Sequence, residues 1–299
     1  KKIREVKPTS VVFLDSPSFG LRLASLLKKK KIPVQTIQVV APSIWAWGKE
    51  KRLKLMSSSI DLLIPLFAFE QELFQSHVPT AWYGHPLFDE TFCTSTIPKN
   101  PKPLLALFPG SRPGEVLRNL PLQVETSRQL QRAIPTLEIG IALSHSLSKR
   151  IQNYILETCH NGGLVNFSLV PSSERYALME SSWAALAKCG TSVLELFLKK
   201  TPTVVCYNIG TLERVWAQFV LKVSTPFYSL PNILAKNMVV QECIHPQPTA
   251  EEITSFLLPL LQTPLSLSNE QAMKSVREQV TSHTKAEEAI AKHLCFPRQ

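Results

Sequence analysis

The sequence predicts an α/β protein with two parallel β-sheets covered by helices. Short apolar runs alternate with stretches of helical apolar spacing along most of the chain, and two of these runs end in glycine turns that open a helix. Residues 94–103 interrupt the alternation. They are rich in proline and lysine, which is typical of a linker between domains.

The first predicted domain covers residues 1–98. We expect strands at 10–15, 32–40 and 60–65, a helix at 21–30 and a closing turn at 82–86. A Rossmann-type domain normally opens with its own first strand and glycine-rich turn, and the sequence before residue 10 contains neither. We therefore expect this domain to be truncated.

The second predicted domain, residues 99–299, restarts the alternation. The expected strands are 104–108, 137–143, 165–170, 183–187 and 202–206, and the expected helices lie near 115–133, 147–159, 172–180, 191–199 and 212–222. The tail from residue 250 is predicted as two helices, which could also pack back onto the first domain. Two such domains form a cleft, with ligands at the carboxyl ends of the strands.

The composition of the chain limits the partners, metal sites and membrane contacts that we expect. The chain has 299 residues and a net charge of +10, which favours acidic partners such as nucleic acid, an anionic membrane surface or a phosphorylated substrate. Its six cysteines form no C-x-x-C pair, and no cluster has metal-ligand spacing, so we expect reduced thiols and no metal. No apolar run approaches the roughly 18 residues of a spanning helix, so any membrane contact would be peripheral.

The first glycine turn, formed by Gly110, Ser111 and Arg112, follows the apolar run 104–108. Unpaired N–H groups and the helix dipole attract phosphate at such a turn, and a glycine lets a diphosphate approach the backbone closely. Arg112 adds a cationic side chain that can donate two parallel hydrogen bonds to one phosphate group. A purely structural turn is the alternative.

The second glycine turn, Gly190 and Thr191, follows the apolar run 183–187 and predicts another phosphate-type site. Glu195 lies one turn into the next helix, where it could contact a ligand or the helix dipole. Asn232 offers donor and acceptor groups, and Glu242 could accept hydrogen bonds from a ribose diol. Helix capping and a surface position are the alternatives for these last two residues.

Asp15 ends the first predicted strand, at the edge of the sheet where ligands bind. A carboxylate at this position could act as a general base toward an acceptor hydroxyl. Capping of the next helix is the favoured alternative from this residue alone.

Two aromatic segments could face a membrane or a lipid-bearing substrate. Trp45 and Trp47 precede Lys49 and Arg52, and these four side chains together would form an apolar and cationic surface. The alternative is that the tryptophans pack their loop onto the core. Trp216 and Phe219 lie on an apolar stripe of the helix predicted at 212–222, which is either a membrane face or core.

Several segments together resemble the bacterial lipid-A-disaccharide synthase family over nearly the whole chain. They are Pro-Ser-Ile-Trp-Ala-Trp at 42–47, Phe-Glu at 69–70, Gly-His-Pro at 84–86, Pro-Gly-Ser-Arg at 109–112 with Glu115, Cys-Gly-Thr at 189–191 with Leu-Glu at 194–195, and Ser-Leu-Pro-Asn at 229–232. The tryptophan segment and the Leu-Pro-Asn segment are highly specific to that family.

The resemblance implies a GT-B glycosyltransferase with an amino-terminal acceptor domain and a carboxyl-terminal nucleotide-sugar domain. It implies an inverting transfer of 2,3-diacylglucosamine from UDP-2,3-diacylglucosamine to 2,3-diacylglucosamine 1-phosphate (lipid X), which releases UDP and needs no metal or other cofactor. Asn232 and Glu242 would border UDP, and Arg112 with the turn amides would neutralise the departing diphosphate. Asp15 would be the base or would orient the acceptor.

The same resemblance implies a cytoplasmic enzyme that is peripheral on the anionic inner membrane, where a net charge of +10 suits a phosphorylated lipid acceptor. A homodimer is left open. Nucleic acid is a disfavoured partner because the basic residues are dispersed and the sequence contains no recognition motif.

The sequence departs from the family pattern in three ways. Ser18 and Gly20 stand where the usual Asp-x-Pro-Asp-Phe-Asn segment has its second aspartate and its asparagine, and Cys189 replaces a usual serine. The first strands of the family, with their glycine-rich acceptor loop, are not in this sequence. The alternative to the glycosyltransferase is therefore a catalytically inactive fragment that binds a nucleotide-sugar or a lipid.

Overall fold

The computed structural model of the chain describes residues 2–44, 49–88, 92, 97–207, 226–244, 248–263, 270–282, 288 and 291. The chain divides into two compact units. Unit 1 comprises Lys1–Phe92, Val215–Thr225 and Val276–Gln299, and unit 2 comprises Cys93–Arg214 and Pro226–Ser275.

Unit 1 contains a three-stranded parallel sheet in the order β1-β2-β3. The strands are β1 (Ser10–Leu14), β2 (Gln35–Val39) and β3 (Leu62–Ile64), and the helices are α1 (Lys2–Val6), α2 (Pro17–Lys29), α3 (Lys49–Ser59) and α4 (Ala68–Phe74). Helix α2 connects β1 to β2 and helix α3 connects β2 to β3, which are the crossovers that parallel pairing requires.

One face of this sheet packs on helices, and on the other face β2 and β3 bury apolar residues while Val12 and Leu14 of β1 are exposed. On one face, buried Phe13 and Leu63 belong to a cluster that includes Ala24 of α2 and Met56 of α3. On the other face, Ile37 of β2 belongs to a smaller cluster with its neighbours on β2 and β3. The helices are therefore held to the sheet mainly by burial of apolar surface.

Unit 2 contains a six-stranded sheet in the order β6-β5-β4-β7-β8-β9, with all pairs parallel. Its strands are β4 (Leu104–Phe108), β5 (Glu138–Ala142), β6 (Phe167–Val170), β7 (Ala184–Lys188), β8 (Thr203–Cys206) and β9 (Gln241–Cys243). Its helices are α5 (Pro113–Ala133), α6 (Lys149–Asn161), α7 (Arg175–Ser181), α8 (Thr191–Leu198), α9 (Leu230–Ala235) and α10 (Ala250–Gln262).

The strand order of unit 2 reverses between β4 and β7. From β4 the chain builds the sheet outward through β5 to β6, and it then returns to the centre and continues from β7 to β9 at the opposite edge. Ligands of such sheets bind outside the carboxyl ends of the strands at the point of reversal. Because Phe108 pairs with Ala187, the strands β4 and β7 end at nearly the same level there.

The last described helix, α11 (Glu270–Val280), leads into a segment that packs on the Gly-His-Pro turn of unit 1. The His85 N–H donates to the Val280 carbonyl oxygen at 2.7 Å, and the Ser282 hydroxyl donates to the Tyr83 carbonyl oxygen at 2.8 Å. Gly84 has a φ of +85°, and a Cβ on it would lie 3.1 Å from the Ser282 backbone nitrogen. The backbone conformation therefore strongly favours glycine at position 84, and a Cβ there would also crowd the backbone of Ser282.

The predicted α/β class with parallel sheets is confirmed, and the strands predicted between residues 104 and 206 are all present. Strand β9 and helices α1, α3, α4 and α9 were not predicted. The helix predicted at 212–222 lies outside the described residues. Among the helices that the structure describes, none combines the length and the apolar character needed to cross a membrane.

Candidate functional site

The two predicted glycine turns lie on neighbouring strands of unit 2, at the point where the strand order reverses. Gly110 and Arg112 follow β4 and lead into α5, and Gly190 follows β7 and leads into α8. Each turn presents the amino-terminal end of a helix, where backbone N–H groups lack a carbonyl partner in the preceding turn, at the carboxyl edge of the sheet. The site therefore has the geometry of a phosphate-binding edge.

Glu115, the third residue of α5, fills the space beside the first turn. Its Oε2 accepts hydrogen bonds from the backbone N–H of Ser111 at 3.0 Å and of Arg112 at 3.4 Å. The carboxylate therefore caps the helix that it belongs to, in the manner of the glutamate of a capping box. These two amide groups already have an acceptor within the protein.

Gly110 makes room for this contact. Its φ is +134°, and a Cβ on it would lie 2.6 Å from Cβ and 2.9 Å from Oε2 of Glu115. We expected Gly110 to let a diphosphate approach the backbone closely, and the structure shows that the carboxylate of Glu115 occupies this space.

Lys188, the last residue of β7, connects the two turns. Its Nζ lies 3.1 Å from Oε1 of Glu115 and 5.4 Å from the centre of the Tyr207 ring, and its side chain is only 18% exposed. Burial alone would raise the pKa of Glu115, but the hydrogen bond and charge of Lys188, with the two turn amides, outweigh it and lower that pKa. Glu115 is therefore held as a carboxylate.

The Arg112 side chain is strongly exposed at this edge. Its Nη1 lies 3.5 Å from Oε1 of Glu115 while the side chain is 83% exposed. With Lys188 and Glu115 it forms a group of two cations and one anion at the first turn, and the net positive charge of this group favours an anionic ligand.

Glu195 lies on α8, where only 3% of its surface is exposed. Its Oε1 accepts hydrogen bonds from Arg175 Nη2 at 2.8 Å and from the Tyr176 hydroxyl at 3.1 Å. Burial raises the pKa of Glu195, and the positive charge of Arg175 works against this shift. This partly buried ion pair links the amino-terminal end of α7 to α8.

Asn232 and Glu242 lie close together and anchor the loop that precedes α9. Oε1 of Glu242 accepts hydrogen bonds from Ser229 N–H at 2.8 Å, the Ser229 hydroxyl at 2.6 Å and Asn232 Nδ2 at 2.7 Å, and its Oε2 accepts from Tyr228 N–H at 3.1 Å. Asn232 is completely buried. The Cys189 thiol donates to the Tyr228 carbonyl oxygen at 3.1 Å, which joins this loop to the second glycine turn.

Asp15 lies in unit 1, where the chain leaves β1. It is exposed and has a φ of +53°, and the following Ser16 has a φ of +43°. Gln38 Nε2 donates to the Asp15 carbonyl oxygen at 3.3 Å. The residue at the N-cap position of α2 is Ser16, so the structure does not use Asp15 as the helix cap.

The predicted aromatic surface is only partly described. Arg52 is half-buried in α3, and burial lowers its pKa from the ordinary value. The side chain of Lys49 is outside the described part of the chain, as are four aromatic residues: Trp45, Trp47, Trp216 and Phe219. Among the described residues, no three His, Cys, Asp or Glu side chains come close enough together to hold a metal ion.

A family model for lipid-A-disaccharide synthetase matches residues 1–294 of the chain. The chain belongs to this family. The resemblance stated from the sequence segments is thereby confirmed.

Curated relatives share this family name. The lipid-A-disaccharide synthase of Chlamydia caviae is 32% identical over 309 aligned positions, which cover 97% of this chain and 48% of the relative. The synthase of Chlamydia pneumoniae is 34% identical, and the alignment covers 82% of this chain and 41% of the relative. The synthase of Acinetobacter baylyi is 35% identical, and the alignment covers 82% of this chain and 66% of the relative. The chain therefore spans less than half of the length of these two chlamydial relatives.

Solved structures show the same fold at low identity. The UDP co-structure of MnaA from S. aureus has a TM-score of 0.56 at 12% identity, covering 99% of this chain and 76% of that one. The pneumococcal O-GlcNAc transferase GtfA in complex with UDP and GlcNAc has a TM-score of 0.55 at 9% identity, covering 98% of this chain and 58% of that one. This likeness shows the fold alone, and it supports the predicted GT-B fold class.

Sequence reasoning did not assign a role to three charged residues that the structure places at or near this edge: Lys188, Arg175 and Glu115. A signal for Glu115 was present, since it stands three residues after the N-cap Arg112, the spacing of a capping box. Lys188 was visible as a charge that ends an apolar strand two residues before a glycine. The partner of Arg175 could not be found, because the pairing of α7 with α8 depends on the fold.

Proposed function

We propose that the chain carries out glycosyl transfer in the formation of the lipid A disaccharide. It would transfer 2,3-diacylglucosamine from UDP-2,3-diacylglucosamine to 2,3-diacylglucosamine 1-phosphate and release UDP. The observation that carries this proposal is the family match over residues 1–294. The net positive charge of the group formed by Arg112, Lys188 and Glu115 supports it, because a UDP-sugar donor brings a diphosphate.

In the proposed step, a hydroxyl oxygen of the acceptor attacks the anomeric carbon of the donor sugar. The bond between that carbon and the diphosphate oxygen breaks, and UDP leaves with the bonding electrons. Asp15 would take the proton of the acceptor hydroxyl or orient it. Arg112 would stabilise the negative charge that develops on the diphosphate, and its 83% exposed side chain is accessible to such a ligand.

The donor site would be formed by residues at the carboxyl edge of unit 2: Gly110, Ser111, Arg112, Gly190, Thr191, Glu195, Asn232 and Glu242. A ribose contact by Glu242 would use Oε2, because Oε1 already accepts several hydrogen bonds from the loop before α9. Glu195 would act mainly by placing Arg175, since its Oε1 is committed to that ion pair.

The reaction is proposed to proceed without a metal ion, with protein cations neutralising the diphosphate. The corresponding expectation is that a chelator such as EDTA leaves the rate of transfer unchanged. A rate that falls with EDTA and returns with added Mg²⁺ would show that a metal takes part.

The acceptor lipid would reach the chain at an anionic membrane surface, where a net charge of +10 favours adsorption. Trp45, Trp47, Lys49, Arg52, Trp216 and Phe219 are the proposed contacts. The proposed location is the cytoplasmic face of the inner membrane.

The proposal is tested with UDP binding and with transfer. UDP that binds the folded chain must raise its melting temperature, and the chain incubated with both lipid substrates should release UDP. Arg112→Ala is expected to weaken UDP binding and to slow transfer by about one to three orders of magnitude. Arg132→Ala is the matched control, because Arg132 is an exposed arginine in the last turn of the same helix.

The outcomes separate the candidate functions. UDP binding with no transfer would favour the alternative of a nucleotide-sugar binding protein without catalysis. No shift of the melting temperature at millimolar UDP would exclude both of these and would leave an inactive fragment that binds a lipid. Equal rates for Arg112→Ala and the control would remove Arg112 from the site.

A further inference from the structure

The space between the two glycine turns contains a cation that the sequence did not assign. Lys188 ends β7, and its Nζ lies 3.1 Å from Oε1 of Glu115, whose other oxygen accepts from the amides of the first turn. We propose that Lys188 is a further binding residue for the diphosphate of the donor, positioned for this purpose by Glu115. This inference rests on the proposed function.

The position of the ammonium group is fixed before a ligand arrives. Glu115 holds it from one side and the Tyr207 ring faces it at 5.4 Å, so the long side chain loses little further freedom when it binds an anion. An ammonium group has three N–H donors, and the contact with Glu115 uses one of them. The other two can serve phosphate oxygens.

Gly190 leaves space beside the ammonium group. The φ of Gly190 is 166°, an extended conformation that any residue can adopt, so the backbone does not require glycine here. The nearest atom to a Cβ on this residue would be Lys188 Nζ, at 3.6 Å. A larger side chain at position 190 would extend over the ammonium group, and glycine keeps this approach open.

Neutralising a bound diphosphate at the first turn also requires a cation in addition to Arg112. The amides of Ser111 and Arg112 already bind Glu115, so they contribute less to a diphosphate than unpaired amides would. Glu115 cancels one positive charge, and a diphosphate carries more than one negative charge. Arg112 alone would leave the ligand poorly neutralised, and Lys188 supplies the missing charge within reach of both turns.

The test compares UDP with uridine, which lacks the phosphates, by calorimetric titration of the whole chain. Lys188→Met is expected to weaken UDP binding by about tenfold to a hundredfold, the effect of one charge-assisted hydrogen bond, and to leave uridine binding unchanged. Lys188→Arg keeps the charge and is expected to lose less. An equal loss for both ligands, or no loss for UDP, would overturn the proposal.

Lys102→Met is the matched control. Lys102 lies just before β4 at the opposite edge of the sheet, where it pairs with Glu138 at 3.5 Å and is 66% exposed. The substitution removes the same charge from the same unit, and we expect no change in UDP affinity. A loss as large as that of Lys188→Met would show that only the overall charge matters, which would overturn the proposal.

Glu115→Gln approaches the same question from the opposite side and does not depend on whether Lys188→Met folds. The amide oxygen of glutamine can still accept from the turn, but it no longer holds the ammonium by charge. UDP affinity is then expected to fall about threefold or more, because the ammonium group is no longer held between the two turns, while uridine affinity stays constant. An unchanged or higher UDP affinity would overturn the proposal. Failure of the unaltered chain to bind UDP would instead refute the proposed function.

Discussion

Gly110→Ala is predicted to destabilise unit 2 through a contact that the protein makes with itself. The φ of Gly110 is +134°, and the added Cβ would lie 2.6 Å from Cβ of Glu115. Alanine would therefore force either the turn or the first turn of α5 to move. The hydrogen bonds from Ser111 N–H and Arg112 N–H to Glu115 would lengthen or break.

The size of the effect follows from these two contributions. A non-glycine residue in this backbone conformation costs about 1–3 kcal/mol. Loss of the carboxylate cap at the start of α5 adds about 1 kcal/mol. The free energy of unfolding should fall by about 2–4 kcal/mol, which corresponds to a decrease in melting temperature of about 5–10 °C for a unit of this size.

The assay is thermal and urea unfolding of Gly110→Ala beside Gly114→Ala. A Cβ on Gly114 would have no heavy atom within 4 Å, and Gly114 lies inside the first turn of α5, where alanine favours the helix by about 0.5–1 kcal/mol. The control should be as stable as the unaltered chain or slightly more stable. If Gly110→Ala were equally stable, the inferred contact between Gly110 and Glu115 would be wrong.

Two further predictions concern buried charge. Arg175→Met removes the cation that pairs with Glu195, so the free energy of unfolding should fall by about 2–3 kcal/mol. This is less than for a fully buried pair, because the Arg175 side chain is 35% exposed. Urea unfolding that matches the unaltered chain would contradict this prediction. Burial lowers the pKa of His85 from 6.5 to about 4, so the unfolded chain binds more protons than the folded chain between these pH values. The free energy of unfolding should therefore fall by about 3 kcal/mol in all as the pH drops from 6.5 toward 4. In His85→Gln this part of the pH dependence should disappear, which urea titrations at several pH values would measure.

The strands of unit 2 could be predicted because buried parallel strands are short, continuous apolar runs bounded by turns, as in residues 104–108. The two glycine turns were found for the same reason, since each follows such a run and precedes a helix. Strand β9 was missed because it is only three residues long and begins with two polar residues, Gln241 and Glu242, so it contains no apolar run. Its place in the sheet depends on pairing with β8.

The charged contacts of the site could not be predicted from spacing. Lys188 and Glu115 are 73 residues apart in the chain, and they meet only because β4 and β7 are neighbours. Asn232 and Glu242 were singled out as ligand contacts, and the structure shows that they also hold each other and the loop before α9. A side chain that is suited to bind a ligand is equally suited to bind the protein, and the sequence does not distinguish these two uses.

By itself the sequence determined the α/β class, the family and the two turns, because these depend on apolar runs and on local residue order. Only the tertiary structure decided that the turns lie side by side, that Glu115 occupies the space beside Gly110, and that Lys188 stands between them. The physical reason is that hydrogen bonds and ion pairs act over a few ångströms in space, while the residues that form them are separated by long stretches of chain.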